Sequence, residues 1–400
     1  MTTKQTGEAY IVAAVRTPVG KAPRGMFKTV RPDDMLAHVL KAAVNQCEGL
    51  DPAAIDDVIA GCAMPEAEQG LNVARISLLL AGLPNSVPGM TVNRFCASGL
   101  QTVALAADRI RLGDADVIIA AGTESMSMVP MSGNKPALDP AIFLHDENVA
   151  IAYGMGITGE KVAQRWQVSR EAQDEFATTS HTRALKAIET GEFEQEIAPY
   201  TVVEKRPDLA SHEIRDVAVV RDTDEGPRPG TNPEVLSRLK PVFAAHGTVT
   251  AGNSSQMSDG AGAVVLASED ALKRFNLTPM GRFLGYSVAG VPPEIMGIGP
   301  VKAIPRVLKQ VGLKQDDLDW IELNEAFAAQ SLAVINDLGL DRKKVNPLGG
   351  AIALGHPLGA TGAIRVATLL HGLRRHHQKY GMVTMCVGTG MGAAGVFEAL

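Results

Sequence analysis

Four residues of this sequence sit where their chemistry could be used. Cys96 lies in Asn93-Arg94-Phe95-Cys96-Ala97-Ser98-Gly99-Leu100, where a β-prone run gives way to an Ala-rich helical pattern. That puts a sulfur at a helix N-terminus, where the macrodipole and free N–H groups favour thiolate and can hold an oxyanion. Read alone, such a cysteine is as readily a small buried hydrophobe. His356 is embedded in Gly349-Gly350-Ala351-Ile352-Ala353-Leu354-Gly355-His356-Pro357-Leu358-Gly359. Glycines let this backbone approach other groups and Pro357 fixes the chain, which suits an imidazole held as the base of a nucleophile. Cys386 ends a strand-like run and opens Cys386-Val387-Gly388-Thr389-Gly390-Met391-Gly392. The glycines would expose its sulfur and offer backbone donors; buried packing is the plainer reading. Asn324, in Asn324-Glu325-Ala326-Phe327-Ala328, follows the run Trp320 to Leu323. An amide at a strand's carboxyl end orients water or a substrate oxygen, or caps the next helix.

The elements that must position these groups alternate between strand and helix. Tyr10 to Ala14, Asp57 to Gly61 and Val117 to Ala121 read as strands; Asp33 to Gln46 and Ser98 to Leu112 read as helices. This rhythm implies a mostly parallel sheet covered by helices. An internal repeat is more informative. Val92-Asn93, then Ala97-Ser98-Gly99 and a helix, reappears as Val345-Asn346, then Ala360-Thr361-Gly362 and a helix. Gly99 and Gly362 are 263 positions apart, Gly122 and Gly388 266, and Asp56 and Asp319 263. Near-constant offsets imply two similar α/β halves, with His356 at the position equivalent to Cys96. Between them lies a polar, less periodic stretch, with helical patterns at Thr158 to Trp166 and Arg170 to Thr190 and prolines at 207, 227, 229 and 233. It reads as an insertion able to cap a site. The division is residues 1–123 plus 247–270 for the first half, 124–246 for the insertion and 271–400 for the second half.

Composition excludes several classes. The chain has 400 residues, 46% hydrophobic and 20% charged, enough for a sizeable core. A net charge of -6 gives no nucleic-acid footprint, and Arg374-Arg375-His376-His377 reads as a solvated helix end. Cys47 and Cys62 look structural, and no two of the four cysteines form a CxxC pair, which speaks against zinc or a redox dithiol. Few cysteines in a long chain suit a reducing, cytoplasmic compartment. Met1 to Tyr10 carries no signal-peptide core, Glu398-Ala399-Leu400 is not a peroxisomal address, and no apolar run approaches ~18 residues, so no membrane span is expected. Gly154-Met155-Gly156-Ile157-Thr158-Gly159 matches a dinucleotide fingerprint, but helix follows helix there with no second strand, which argues against nicotinamide binding.

Taken together, Val92 to Gly99, Asn324 to Phe327, Gly349 to Gly359 and Cys386 to Gly390 resemble the thiolase family, over essentially the whole chain. The resemblance implies a duplicated five-layer α/β/α/β/α fold with a loop domain over the active site, and a homodimer, often paired into a homotetramer. It implies that Cys96 is acylated, that His356 activates it, that Asn324 holds a water completing a first oxyanion site with His356, and that Cys386 is the acid/base. The N–H groups of Cys96 and Gly388 would form the second oxyanion site. No metal or redox cofactor is implied; coenzyme A is a substrate. By motif position Arg228 and Ser255 resemble groups near the nucleotide and pantetheine, Phe243 would pack near adenine, and Met155, Met296 and Phe327 would line the acyl and pantetheine pocket.

Acetoacetyl-specific thiolases commonly carry His-Met-Gly where this chain has Gly154-Met155-Gly156. With Val92 to Cys96 and Arg31-Pro32-Asp33-Asp34, that departure points toward the degradative 3-ketoacyl-CoA thiolases of fatty acid β-oxidation, which can act beside an enoyl-CoA hydratase/3-hydroxyacyl-CoA dehydrogenase. The rivals are a biosynthetic acetoacetyl-CoA thiolase, a β-ketoacyl synthase (disfavoured, since Cys386 stands where those enzymes have a second histidine) and a non-catalytic thiolase-like lipid- or acyl-CoA-binding protein.

Overall fold

A computed structural model describes residues 7–400; Met1 to Thr6, part of the polar N-terminus read above, lie outside the described residues. The first half runs β1 (Tyr10–Arg16), β2 (Gly20–Lys21), α1 (Pro32–Asn45), β3 (Asp57–Gly61), α2 (Val73–Leu80), β4 (Gly89–Val92), α3 (Ser98–Arg111) and β5 (Val117–Ser125). There follow α4 (Met155–Arg165), α5 (Arg170–Glu189), the hairpin β6 (Tyr200–Asp208) and β7 (Glu213–Arg221), and α6 (Pro233–Ser237), before β8 (Ser258–Ala267) and α7 (Glu269–Phe275). The second half runs β9 (Gly281–Gly290), α8 (Gly299–Val311), β10 (Trp320–Leu323), α9 (Ala328–Leu338), α10 (Ala351–Leu354), α11 (Leu358–Arg375), β11 (Tyr380–Val387) and β12 (Met391–Ala399).

The duplication inferred from the sequence is visible strand for strand. In the first half the sheet order is β4-β3-β5-β8-β1, with β3 parallel to β4 and β5, and β8 antiparallel to β5 and β1. In the second it is β10-β11-β12-β9, with β10 parallel to β11, and β12 antiparallel to β11 and β9. The sheet is thus mostly antiparallel, not mostly parallel as the strand–helix rhythm implied, because the closing strands of each half run against its parallel strands. Val345, in a parallel bridge to Ile321, takes the place of β4. The halves join where Tyr10 and Ile11 of β1 pair with Arg282 and Gly281 of β9.

Strand alternation sorts the side chains into layers. Val117, Ile119 and Ala121 of β5 face α1 and α2, whereas Ile118 and Ala120 face the centre. On β11, Val383, Met385 and Val387 face the centre while Met382 joins the layer of α8 and α9. α1 forms because Pro32 opens it, Asp33 and Asp34 occupy its first turn, and Met35, Leu36, Val39, Leu40 and Ala43 recur on one face. The central layer is α3 against α11, so the five-layer α/β/α/β/α arrangement expected of the chain is the one observed. These two helices cross on their repeat-equivalent glycines. A Cβ on Gly99 would lie 2.7 Å from Ala363 N, and one on Gly362 would overlap Leu100 N. Both helix N-termini are thereby brought to one place.

The β6–β7 hairpin was not anticipated. Both its faces are largely exposed and charged, so no alternation marks it in the sequence. Among the described residues, no helix is long and apolar enough to cross a membrane.

Candidate active site

Each half sends a loop to the crossing of α3 and α11. After β4, Asn93 ties the bend: its Oδ1 accepts from Phe95 N at 2.8 Å and its Nδ2 donates to Ala63 O at 2.9 Å. Phe95 takes φ +44°, rare for a bulky residue. Ser98 locks it, accepting from Arg94 N at 2.9 Å and donating to Phe95 O at 2.7 Å. The short Phe95–Ala97 turn presents Cys96 at the entrance of α3. In the second half Asn346, at φ +46°, does the matching work, its Oδ1 accepting from Leu323 N at 2.9 Å and its Nδ2 donating to Leu323 O at 2.8 Å. A longer, glycine-rich path through α10 then delivers His356 just ahead of α11.

The Phe95–Ala97 turn packs on the start of α11 and on β11, and Cys96 shares an apolar cluster with Leu358. The Gly388 N–H, in the β11–β12 turn, lies near enough to the Cys96 sulfur to favour its thiolate, and Cys386 lies close enough for a charge on Cys96 to act on it. His356 is fixed at both nitrogens: Nδ1 is 2.6 Å from Thr361 Oγ1 and Nε2 is 3.3 Å from Asn324 Nδ2. Asn324 Oδ1 is buried and, among the described residues, has no partner. The structure thus brings Cys96, Gly388 and Cys386 together, ties Asn324 to His356, and seats both groups where α3 meets α11.

Electrostatics correct one expectation. A helix N-terminus argued for a thiolate at Cys96, yet burial pushes that thiol up to about 11, outweighing the N–H groups of Gly388 and Cys96 itself. Desolvation disfavours the charged form more than two N–H dipoles favour it. Burial likewise pushes the His356 imidazole down to about 3, aided by the nearby Arg365 charge. Cys386 is driven well above the usual thiol range by burial and then by Cys96. The resting pair is a neutral thiol and a neutral imidazole.

The apolar wall also assembles. Met155 opens α4, Met296 sits in a 3₁₀ turn and Phe327 caps α9; with Val249 and Ala326 they form one cluster around Cys386. The Met155 sulfur lies 3.5 Å from where a Gly388 Cβ would stand, and a Cβ at Gly154 would meet nothing within 4 Å. Phe243, half exposed, meets Phe327 edge-to-face at 6.3 Å and lies over Gly156, whose Cβ would overlap its ring. Ser255 is close by, its N–H donating to Ala326 O at 3.0 Å. Arg228 stands apart in an exposed segment, its backbone N–H donating to His181 Nδ1 at 3.2 Å.

Several contributors escaped sequence reasoning. Glu124 is fully buried and accepts from Ala63 N at 2.8 Å, Met64 N at 3.2 Å and Gly359 N at 2.8 Å, riveting the loop beside Cys96 to the segment after His356. Glu325 accepts from Ser180 Oγ at 2.7 Å, Asn346 Nδ2 at 2.8 Å and Ile352 N at 3.2 Å, tying α5 to the second half. His181 is held down to about 4 by burial and then by the charges of Arg228 and Lys21, so both cations face it. Only the family-like spacing of Glu325 beside Asn324 gave any signal; buried carboxylates look like surface ones in a sequence.

Comparison with known proteins gives consistent matches. The family profile described as thiolase, N-terminal domain, covers residues 9–270, and that of thiolase, C-terminal domain, residues 277–399. A 3-ketoacyl-CoA thiolase of Bacillus subtilis is 52% identical over 98% of this chain and 99% of its own length. The crystal structure of an acetyl-CoA acetyltransferase from Bacillus anthracis superposes with a TM-score of 0.89 at 40% identity, covering 100% of both chains. That of a dimeric peroxisomal thiolase from Saccharomyces cerevisiae gives 0.88 at 41%, covering 100% of this chain and 99% of the other.

Proposed function

The chain belongs to the thiolase family of acyltransferases, and on that premise we propose that it is a degradative 3-ketoacyl-CoA thiolase working through an acyl-Cys96. The observation that carries the proposal is the convergence of Cys96, the Gly388 N–H and Cys386 beside the Asn324–His356 pair. As the 3-oxo carbon approaches, His356 Nε2 takes the Cys96 proton and the sulfur forms its bond to carbon. The carbonyl electrons move onto oxygen, where the N–H groups of Gly388 and Cys96 receive the charge. The alkoxide collapses, the C2–C3 bond breaks, and its electron pair goes to C2, which takes the Cys386 proton. A thiol whose neutral form is favoured by burial suits that donor role. Cys386, now thiolate, deprotonates coenzyme A; the new thiolate attacks the acyl-cysteine and expels Cys96, which recovers its proton from His356. The orphaned Asn324 Oδ1 suits a bound water's O–H near the thioester oxygen. No step requires a metal or redox group, because the thioester itself acidifies C2.

The Met155, Met296, Phe327 and Val249 wall and the open position at Gly154 favour uncharged acyl chains longer than acetoacetyl. Lys21 and Arg228, both facing His181 and neither ion-paired among the described residues, supply positive charge for coenzyme A phosphates. A homodimer in the cytoplasm is the fitting assembly. β4 is the open edge of the sheet among the described residues, with Met90 exposed on it and Leu71, Leu79 and Leu80 exposed on and beside α2.

Thiolysis rates across a 3-oxoacyl-CoA series test the substrate reading. The expected result is comparable or rising kcat/KM from four to eight or more carbons, and a fall of about 10-fold or more at the longer end in Gly154→His. Activity confined to acetoacetyl-CoA assigns the biosynthetic reaction instead.

A further inference from the structure

Among the described residues, the base in this site has no carboxylate behind it. Thr361, one turn into α11, fills that place: its Oγ1 lies 2.6 Å from His356 Nδ1 and 3.0 Å from Pro357 O, four residues back along the helix. Thr361 is 1% exposed and His356 4%, so bulk water does not compete for either contact. A hydroxyl has one proton. Pro357 O, 3.0 Å away, can receive it, which leaves a lone pair on the oxygen for His356 Nδ1. An Nδ1–H then has an acceptor. At the other end of the ring, Asn324 Nδ2 at 3.3 Å can only donate, which requires a bare lone pair on Nε2. The Asn324 end thus calls for a bare Nε2, and Thr361 gives the matching Nδ1–H its acceptor.

We propose that Thr361 is the positioning residue that selects the Nδ1–H, Nε2-bare form of His356 and so makes it a base. The proposal rests on the acyl-Cys96 reading above for its kinetic consequences, though not for the tautomer itself. The proton balance is simple. Before acylation Nδ1–H donates to Thr361 and Nε2 is free to accept. When Nε2 takes the Cys96 proton, the Nδ1–H bond to Thr361 persists and the imidazolium keeps a partner. The Asn324 amide, which can no longer donate to a protonated Nε2, is released to donate to an oxygen instead. A neutral hydroxyl also differs from a carboxylate in what it withholds. It orients the ring without adding negative charge, which fits an imidazole that burial and Arg365 hold neutral.

Selective 15N-histidine NMR of the resting full-length enzyme reads the tautomer directly, the His356 signals being assigned by their loss in His356→Asn. The expected spectrum has a protonated Nδ1 and a pyridine-like Nε2; a protonated Nε2 overturns the proposal. Thr361→Val keeps the shape and removes the acceptor. Its expected effects are a shift of His356 toward Nε2–H and a loss of roughly 10- to 100-fold in kcat for thiolysis with KM within about twofold. Thr361→Ser restores both. Thermal unfolding separates this from mere packing: a Thr361→Val protein that is less stable but keeps the wild-type tautomer and kcat sinks the idea. Mass spectrometry for an acetyl adduct on wild-type Cys96 keeps the two readings apart. Absence of that adduct with the Nδ1–H tautomer intact removes the acyl-enzyme reading and leaves Thr361's role in setting the tautomer standing.

Discussion

The two halves of this molecule share one topology and differ in what they hang from it. In each, an asparagine in a left-handed or tightly bonded bend follows the strand-like segment beside the central pair, and a helix of the central layer follows the asparagine. The first half goes from Asn93 to α3 by a short 3₁₀ turn and presents a sulfur. The second takes a longer route from Asn346 through α10 and presents an imidazole. After the next strand the contrast reverses. β5 and β8 are separated by the inserted α4–α6 segment, whereas β11 and β12 are joined by the tight Gly388-Thr389-Gly390 turn that aims an N–H at Cys96. A duplicated scaffold supplies position; lengthening a different loop in each copy supplies distinct chemistry at a shared point.

The sharpest test of that division removes one sulfur at a time. Cys96→Ala is expected to abolish acylation by acetyl-CoA and lower thiolysis by about 10⁵- to 10⁶-fold, since it removes the sulfur that forms the covalent bond. Cys386→Ala should still acquire one acetyl group on Cys96 from acetyl-CoA, while losing about 10³- to 10⁴-fold in turnover for want of a proton donor at C2. Intact-mass spectrometry and steady-state thiolysis read both. An acetyl adduct that vanishes in the Cys386 variant, or survives in the Cys96 variant, breaks the assignment of roles to halves.

Much of this was legible before any coordinates. The constant offset between Gly99 and Gly362 carried the duplication, because a glycine at a helix crossing cannot drift without a clash. His356 and Cys386 stood out because each lies in a glycine-rich segment, Cys96 because it stands where a strand gives way to a helix, and Asn324 because it ends a strand inside a motif that resembles the family's. What stayed hidden was whatever depends on burial. Glu124 and Glu325 read as ordinary acids until the packing enclosed them, and the neutral state of Cys96 follows from desolvation that no local motif reports. Thr361 was only a small residue in a repeat. The β6–β7 hairpin left no trace because its strands are mostly exposed, with Val202 the one residue that enters the core among the described residues.

The crossing itself invites a gentler perturbation. Gly362→Ala would press a methyl group into the Leu100 nitrogen, and Gly99→Ala would place one 2.7 Å from Ala363 N. Backbone must move in either case, at a cost of about 1–3 kcal/mol. Because both helix N-termini flank the site, activity should fall along with the unfolding midpoint. Ala363→Gly, which adds no atom at the crossing, should cost stability through helix propensity, about 1 kcal/mol, and its lost buried methyl, and leave kcat nearly unchanged. Equal kcat in Gly362→Ala and wild type would show that the crossing does not set the geometry of the two loops.

The smallest expected effect concerns the charge state of the sulfur that the first half presents. A cysteine whose thiolate is stabilised by a helix N-terminus alkylates at a rate that levels off near or below neutral pH. Cys96 is instead held up to about 11 by burial, and His356, down at about 3, carries no charge to draw the proton away. Raising the pH is therefore the only route to resting thiolate. The rate of Cys96 alkylation by iodoacetamide should climb by roughly tenfold per pH unit between 7 and 9 with no plateau. His356→Asn should leave that slope in place, because a neutral imidazole contributes no ion pair to lose. A plateau below pH 7 that disappears in His356→Asn would mean a preformed thiolate–imidazolium pair. The two halves would then exchange a proton before substrate arrives rather than during attack.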